Sequence, residues 1–147
     1  MKLTGERDTN GSYASSRLVE LEPPHSDSRG YIQMLVNIPT HNVSLIESRK
    51  NTVRSNHYHT EDWHYIYVIS GSFDYFFRAH DSGDEISRFV AKAGDMVWTP
   101  PMEDHSTVFT ADTLILALSL LPRDQEAYES DVKRIVLIDP DTLQLVA

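Results

Sequence analysis

The sequence contains no cysteine. That excludes a disulfide framework, a thiolate nucleophile and a thiolate metal ligand, so any metal must be held by imidazoles and carboxylates. Basic residues are few: 13 Lys and Arg against 22 Asp and Glu give a formal net charge of −9. A chain that negative repels nucleic-acid phosphates on average, so no nucleic-acid partner is expected. A phosphorylated small ligand needs only a local cluster of arginines and stays open. No apolar run approaches the roughly 20 residues that span a bilayer. The opening MKLTGERDTNGSYASS lacks the apolar core of a signal peptide. No membrane partner and a cytoplasmic location are therefore expected. Internal repeats and low-complexity linkers are also missing, and 147 residues suit one domain with a sizeable core.

What is present is a succession of short β-type runs. Residues 1–16 are polar and predict a flexible N-terminal arm, with 17–147 as a single domain. Candidate strands are Tyr31–Ile38, Val43–Glu47, Val53–His59, Trp63–Ile69, Phe73–Arg78, Ile86–Val90, Asp95–Thr99, Ser106–Thr110 and Leu114–Leu120. They are rich in β-branched and aromatic residues. Between them stand Ser70-Gly71-Ser72, Asp81-Ser82-Gly83-Asp84, Ala93-Gly94-Asp95 and Pro100-Pro101, each a turn signal. Many short strands joined by tight turns predict an all-β sandwich or barrel rather than βαβ units. One short helix is expected near the C-terminus, over Arg123–Lys133 after Pro122. Two last apolar runs, Ile135–Ile138 and Leu143–Val146, are expected to pair back onto the barrel.

Four of the seven histidines have spacing that points to chemistry. His57 and His59 are two apart on a predicted strand, so they share one face. His64 begins the next strand after a turn over Thr60-Glu61-Asp62, which brings it back beside His59. His105 starts another strand after Pro100-Pro101. Together they suggest a cage for one divalent ion, with Zn, Fe, Mn and Ni all compatible with imidazole donors. The plainer alternative, surface histidines on a strand and a hydrogen-bonded core His105, applies to any one of them singly. His25, His41 and His80 lie beside predicted turns and read as solvated.

With these residues in place, the chain resembles the cupin superfamily. The first cupin motif is Gly, five residues, His-x-His, three or four residues, Glu, six residues, Gly. Here His57-Tyr58-His59, His64 and Gly71 match it, with Asn51 in the opening Gly slot and His64 in the Glu slot. The second motif is Gly, five residues, Pro-x-Gly, two residues, His, three residues, Asn. Here Gly94, Pro100 and His105 match, while Met102 replaces the second Gly and Phe109 the Asn. The resemblance implies a double-stranded β-helix, the cupin jelly-roll barrel, in a homodimer. Asp27-Ser28-Arg29-Gly30 and Arg54-Ser55-Asn56-His57-Tyr58-His59 are further similar to cupins acting on nucleotide sugars. Those include the dTDP-4-keto-sugar epimerases and isomerases, and the capsular-polysaccharide hexulose reductases, which tend to carry RGNHYH. The segment Pro122–Asp131 has the same flavour. The His–Asp catalytic dyad of the dTDP-sugar epimerases has no counterpart visible in the sequence.

Four neutral imidazoles leave a divalent site near +2, against about +1 where one ligand is a carboxylate. Such a site favours an anionic or enolisable oxygen donor. The leading expectation is a metal-dependent isomerase or epimerase that moves a proton next to a carbonyl of a sugar or sugar nucleotide. An Fe(II)-dependent dioxygenase and a non-catalytic small-molecule-binding cupin are the alternatives. Glu61, Asp62 and Tyr67 are candidate proton carriers by their proximity to the ligands in sequence. Arg54 and Arg78 are candidates for holding a carboxylate or phosphate, and Tyr75 and Trp98 for lining a pocket.

Overall fold

The computed structural model describes residues 5–146. The chain order is β1 (Arg17–Val19), β2 (His25–Asp27), β3 (Gly30–Ile32), β4 (Asn42–Ser48), β5 (Val53–His59), β6 (His64–Ser70), β7 (Ser72–Ala79), β8 (Ser87–Lys92), β9 (Met96–Thr99), β10 (Glu103–Phe109), β11 (Thr113–Ser119), α1 (Gln125–Asp131) and β12 (Val132–Arg134). Two five-stranded antiparallel sheets, β1-β9-β6-β11-β4 and β12-β5-β10-β7-β8, form the two layers of a jelly roll. A small β2–β3 hairpin stands apart from them. The expected all-β double-stranded β-helix with a short C-terminal helix is therefore what the chain forms.

Apolar side chains of alternate residues fill the space between the layers. Val68, Phe73, Tyr75, Val97, Phe109 and Ile115 form one buried cluster, and Trp63, Tyr65, Met96, Trp98 and Leu118 another. Of the expected loose arm 1–16, residues 1–4 lie outside the described residues and 8–12 are exposed, while Tyr13 and Ala14 pack on this second cluster. Ala14 is buried, its carbonyl accepts from the Trp98 indole at 2.8 Å, and Glu6 bonds the Tyr65 hydroxyl and pairs with Arg17. The buried carboxylate of Glu103 accepts from the Ser15 hydroxyl and the Ser16 amide, so these two serines have fixed partners.

Other expectations shift for local reasons. Of Tyr31–Ile38 only the start pairs, as β3. Leu35, Val36 and Ile38 bury their side chains against the Trp63–Trp98 cluster without joining a ladder. The helix is shorter than Arg123–Lys133. Asp124 caps it, accepting from the Ala127 amide at 3.0 Å, and Val132 turns extended to pair with β5. The two last apolar runs meet in a single bridge between Ile138 and Leu145.

The backbone shows how the turns form where the motif glycines are replaced. Asn51 (φ 67°) and Met102 (φ 59°) stand in two motif Gly slots and adopt the left-handed conformation that favours glycine. Ser55 (φ 73°) does the same where RGNHYH has its Gly, and Asn56 follows at φ 52°. These two residues make a bulge in β5, opposite a register shift between His105 and Ser106 of β10. The Asn56 side chain is buried, accepts from the Leu137 and Ile138 amides, and donates to the Ile138 carbonyl. The bulge thus ties the C-terminal segment across β5 just before the His-Tyr-His run.

Candidate active site

The four histidines converge inside one end of the barrel. His57 and His59 come from β5, His64 from the first position of β6, and His105 from β10, where it lies opposite His57 in register. Ring centroids are 4.8 Å apart for His57–His59 and His57–His105, and 4.5 Å for His59–His64. The donor atoms of His57, His59 and His105 lie within 4.8 Å of one another, as do those of His59, Asp62 and His64. His59 is the member common to both groups.

Two of the four rings have a hydrogen-bond partner on Nδ1. His59 Nδ1 sits 2.9 Å from Asp131 Oδ2 and donates to it, which points Nε2 away from the carboxylate. His105 Nδ1 lies 3.1 Å from the Glu103 carbonyl and likewise donates, again freeing Nε2. Both nitrogens of His64 are buried and have no hydrogen-bond partner; Nε2 is 3.5 Å from Asp62 Oδ2. Burial foremost, and then the neighbouring imidazoles, hold His57 and His64 well below the usual histidine range and push His105 down to about 3. The centre is therefore a cluster of imidazoles in which His57, His64 and His105 are held neutral and His59 and His105 are oriented from behind. Such a donor set fits a divalent ion, and the orphaned nitrogens of His64 are otherwise a costly burial.

Asp131 is the outer support. Its Oδ1 accepts from the Thr60 hydroxyl (2.9 Å) and the Glu61 amide (2.7 Å) while Oδ2 holds His59. Burial raises its pKa, and these donors outweigh it and bring the carboxyl down to about 2. Asp62 is buried, and its Oδ1 accepts from the Trp63 and Leu121 amides. Burial is the main cause of its raised pKa.

The histidines open onto a cavity of about 150 Å³ with an apolar wall that includes Ile46, Phe73, Phe109 and Ile115. Arg54 lies on its rim, with its guanidinium bonded to the Ser48 hydroxyl and the Glu47 carbonyl. Arg123 and Tyr128, from the C-terminal segment, complete the lining. The Arg123 guanidinium is 4.7 Å from the Tyr128 ring centroid.

Several candidates from the sequence lie elsewhere. The Glu61 side chain is exposed, and only its backbone amide reaches Asp131. Tyr67 packs against the Trp63–Trp98 cluster, away from the cavity lining. Arg78 pairs with buried Asp104 at 3.9 Å and does not line the cavity. Tyr75 stacks parallel to His105 (5.9 Å, 4°) from behind, its hydroxyl bonded to Ser16 and Thr99. Trp98 is fully buried core. His25 and His41 are exposed as expected. His80 differs: it stacks on Tyr58 at 3.8 Å and bonds Asp104 at 2.8 Å, so it is only 16% exposed. Asp131, Arg123 and Tyr128 were missed as site residues. Their one signal was the Pro122–Asp131 segment, which carries all three.

No protein-family model matches the sequence, and no curated protein is significantly similar to it. Solved structures are. The 3,4-ketoisomerase QdtA from Thermoanaerobacterium thermosaccharolyticum, as a double mutant in complex with TDP, has a TM-score of 0.67 at 19% identity over 82% of this chain and 87% of its own. A dTDP sugar isomerase from Desulfovibrio desulfuricans G20 has 0.67 at 10% identity, over 88% and 93%. The dTDP-4-dehydrorhamnose 3,5-epimerase from Sulfolobus tokodaii has 0.64 at 16% identity, over 87% and 86%. The shared architecture, the His-x-His strand and the left-handed turns at the glycine slots together give this chain the cupin jelly-roll fold.

Proposed function

We propose that the protein is a sugar-nucleotide isomerase or epimerase that moves a proton next to a carbonyl in the histidine cavity, with a divalent metal ion as cofactor. The observation that carries this is four imidazoles converging on an apolar-walled cavity whose rim carries Arg54, Arg123 and Tyr128. The likeness in fold to sugar-nucleotide isomerases and epimerases supports the choice of substrate class.

His57, His59, His64 and His105 would hold the ion, which when bound would polarise the carbonyl and favour the enolate. Asp131 fixes His59 in the Nδ1–H form and keeps its Nε2 a donor. Besides the histidines and arginines, Tyr128 is the one titratable side chain among the described lining residues, and its hydroxyl is the proposed proton carrier. Arg54 and Arg123 stabilise negative charge on the substrate oxygens. The apolar wall excludes water from the reacting carbon. A homodimer belongs to the same proposal, supported by the β2–β3 hairpin, which leaves Tyr31 and Ile32 70% and 61% exposed.

The test is incubation with dTDP-4-keto-6-deoxyglucose in deuterated water, followed by NMR and mass spectrometry. Deuterium at a carbon adjacent to the carbonyl, without oxygen consumption, is expected. Oxygen uptake with ring cleavage would point instead to the dioxygenase, and no exchange with any metal would remove the isomerase reading.

A further inference from the structure

The histidine cavity is too small for a whole sugar nucleotide. At about 150 Å³ it falls below the ~300–1,000 Å³ of pockets that enclose drug-sized ligands. A second cavity of about 510 Å³ adjoins it, sharing Arg123 and Tyr128 as a common wall. It lies along α1 and β12, and its other lining residues are Gln125, Glu129, Val132 and Arg134. In the β12–β5 register Arg134 lies opposite His57 and Val132 opposite His59, so both project to the histidine side of the sheet.

The charges on this second cavity are unusual for the chain. Among the described residues, Arg17, Arg29, Arg49, Arg78 and Arg88 each have a carboxylate within 4 Å, Arg7 and Arg54 donate to backbone carbonyls instead, and the guanidiniums of Arg123 and Arg134 have neither. In a protein of net charge −9, two arginines without an acidic partner face one cavity. The Tyr128 ring backs the Arg123 guanidinium and leaves its N–H edge free. Glu129, also on the lining, is engaged by Gln125 at 3.1 Å. One carboxylate ligand occupies a single guanidinium fork. Two forks across a cavity of this size suit a ligand with several anionic oxygens.

We propose that Arg123 and Arg134 form a diphosphate subsite outside the histidine cavity, gripping a nucleoside diphosphate substrate by its phosphates while the attached ring enters the cavity. This rests on the proposed function only for the placement of the ring. The subsite is tested without turnover, by calorimetric titration of the full chain with pyrophosphate and with thymidine diphosphate. Wild type should bind both. Arg134→Gln and Arg123→Gln should each weaken both by about tenfold, the scale of one lost charge-assisted contact, with Arg134→Lys in between. Lys133→Gln, whose neighbour in register is Tyr58 on the other face, should match wild type. His57→Ala should retain pyrophosphate binding. Thermal melts identify any variant that is unfolded, and Arg123→Lys then replaces Arg123→Gln.

Wild type that binds neither probe, or Gln variants that bind as wild type does, would overturn the subsite. So would pyrophosphate binding lost in His57→Ala but kept in the arginine variants, which places the anion on the histidines. If pyrophosphate follows the arginines while no keto sugar exchanges deuterium, the subsite stands and the proposed reaction falls.

Discussion

Replacing Asp131 tests how the histidine centre is supported. Its carboxylate lies 6% exposed and takes hydrogen bonds from His59 Nδ1, the Thr60 hydroxyl and the Glu61 amide, at 2.9, 2.9 and 2.7 Å. Asp131→Ala leaves the buried His59 N–H without its acceptor and removes the partner of a backbone amide. Leaving a buried donor without its acceptor costs about 1–3 kcal/mol, so the loss of these partners together should cost about 3–5 kcal/mol. Asp131→Asn keeps the shape and one acceptor oxygen but points an amide at donors, so a loss of about 1.5–3 kcal/mol is expected. Both should be measured by urea unfolding of EDTA-treated protein, which removes any metal contribution from the comparison. Zinc titration against a competing chelator then reads the second effect, a roughly 10–100-fold weaker site, because the support that orients His59 is gone. Glu61→Ala is the matched control: its side chain is exposed and only its amide is used, so stability should change by less than about 0.5 kcal/mol. Asp131→Ala with under about 1 kcal/mol of destabilisation and wild-type zinc affinity would refute the reasoning.

Gly71 sits at φ 92°, and a Cβ there would lie 2.5 Å from the Asp112 carbonyl and also clash with Thr113. Gly71→Ala should cost roughly 1–3 kcal/mol and lower Tm by several degrees in a thermal melt; an unchanged Tm would mean that the turn is not held as described. Met102→Gly acts in the other direction. Met102 is 48% exposed at φ 59°, and its amide bond to the His59 carbonyl survives the change. Relief of about 1–2 kcal/mol of left-handed strain exceeds the ~0.5–1 kcal/mol entropic cost of glycine. A small gain in the urea midpoint is therefore expected, and a clear loss would contradict the reading of that slot.

The barrel was legible because short β-type runs and turn residues alternate, and because His-x-His parity survives any two-residue strand. Parity alone could not show the Ser55–Asn56 bulge, since neither residue type announces a left-handed backbone. The glycine slots held by Asn51, Ser55 and Met102 looked like departures in the sequence but keep the glycine conformation. Asp131 was hidden for a different reason: it lies 72 residues from His59, and only the β12–β5 pairing brings them together. The same pairing delivers Arg134. Ser15 and Ser16 looked solvated because their acceptor, Glu103, is remote in sequence. Tyr75 and Trp98 belong to the right neighbourhood, but strand alternation directs them behind the histidines or into the core.

The most direct measurement is metal content by inductively coupled plasma mass spectrometry on untagged wild type, His57→Ala and His105→Ala, each also after reconstitution with zinc, iron, manganese or nickel. Near-stoichiometric divalent metal is expected in wild type, and its loss in both variants with the fold intact by circular dichroism. Wild type that stays metal-free after reconstitution, or variants that retain full occupancy, would contradict the four-histidine centre.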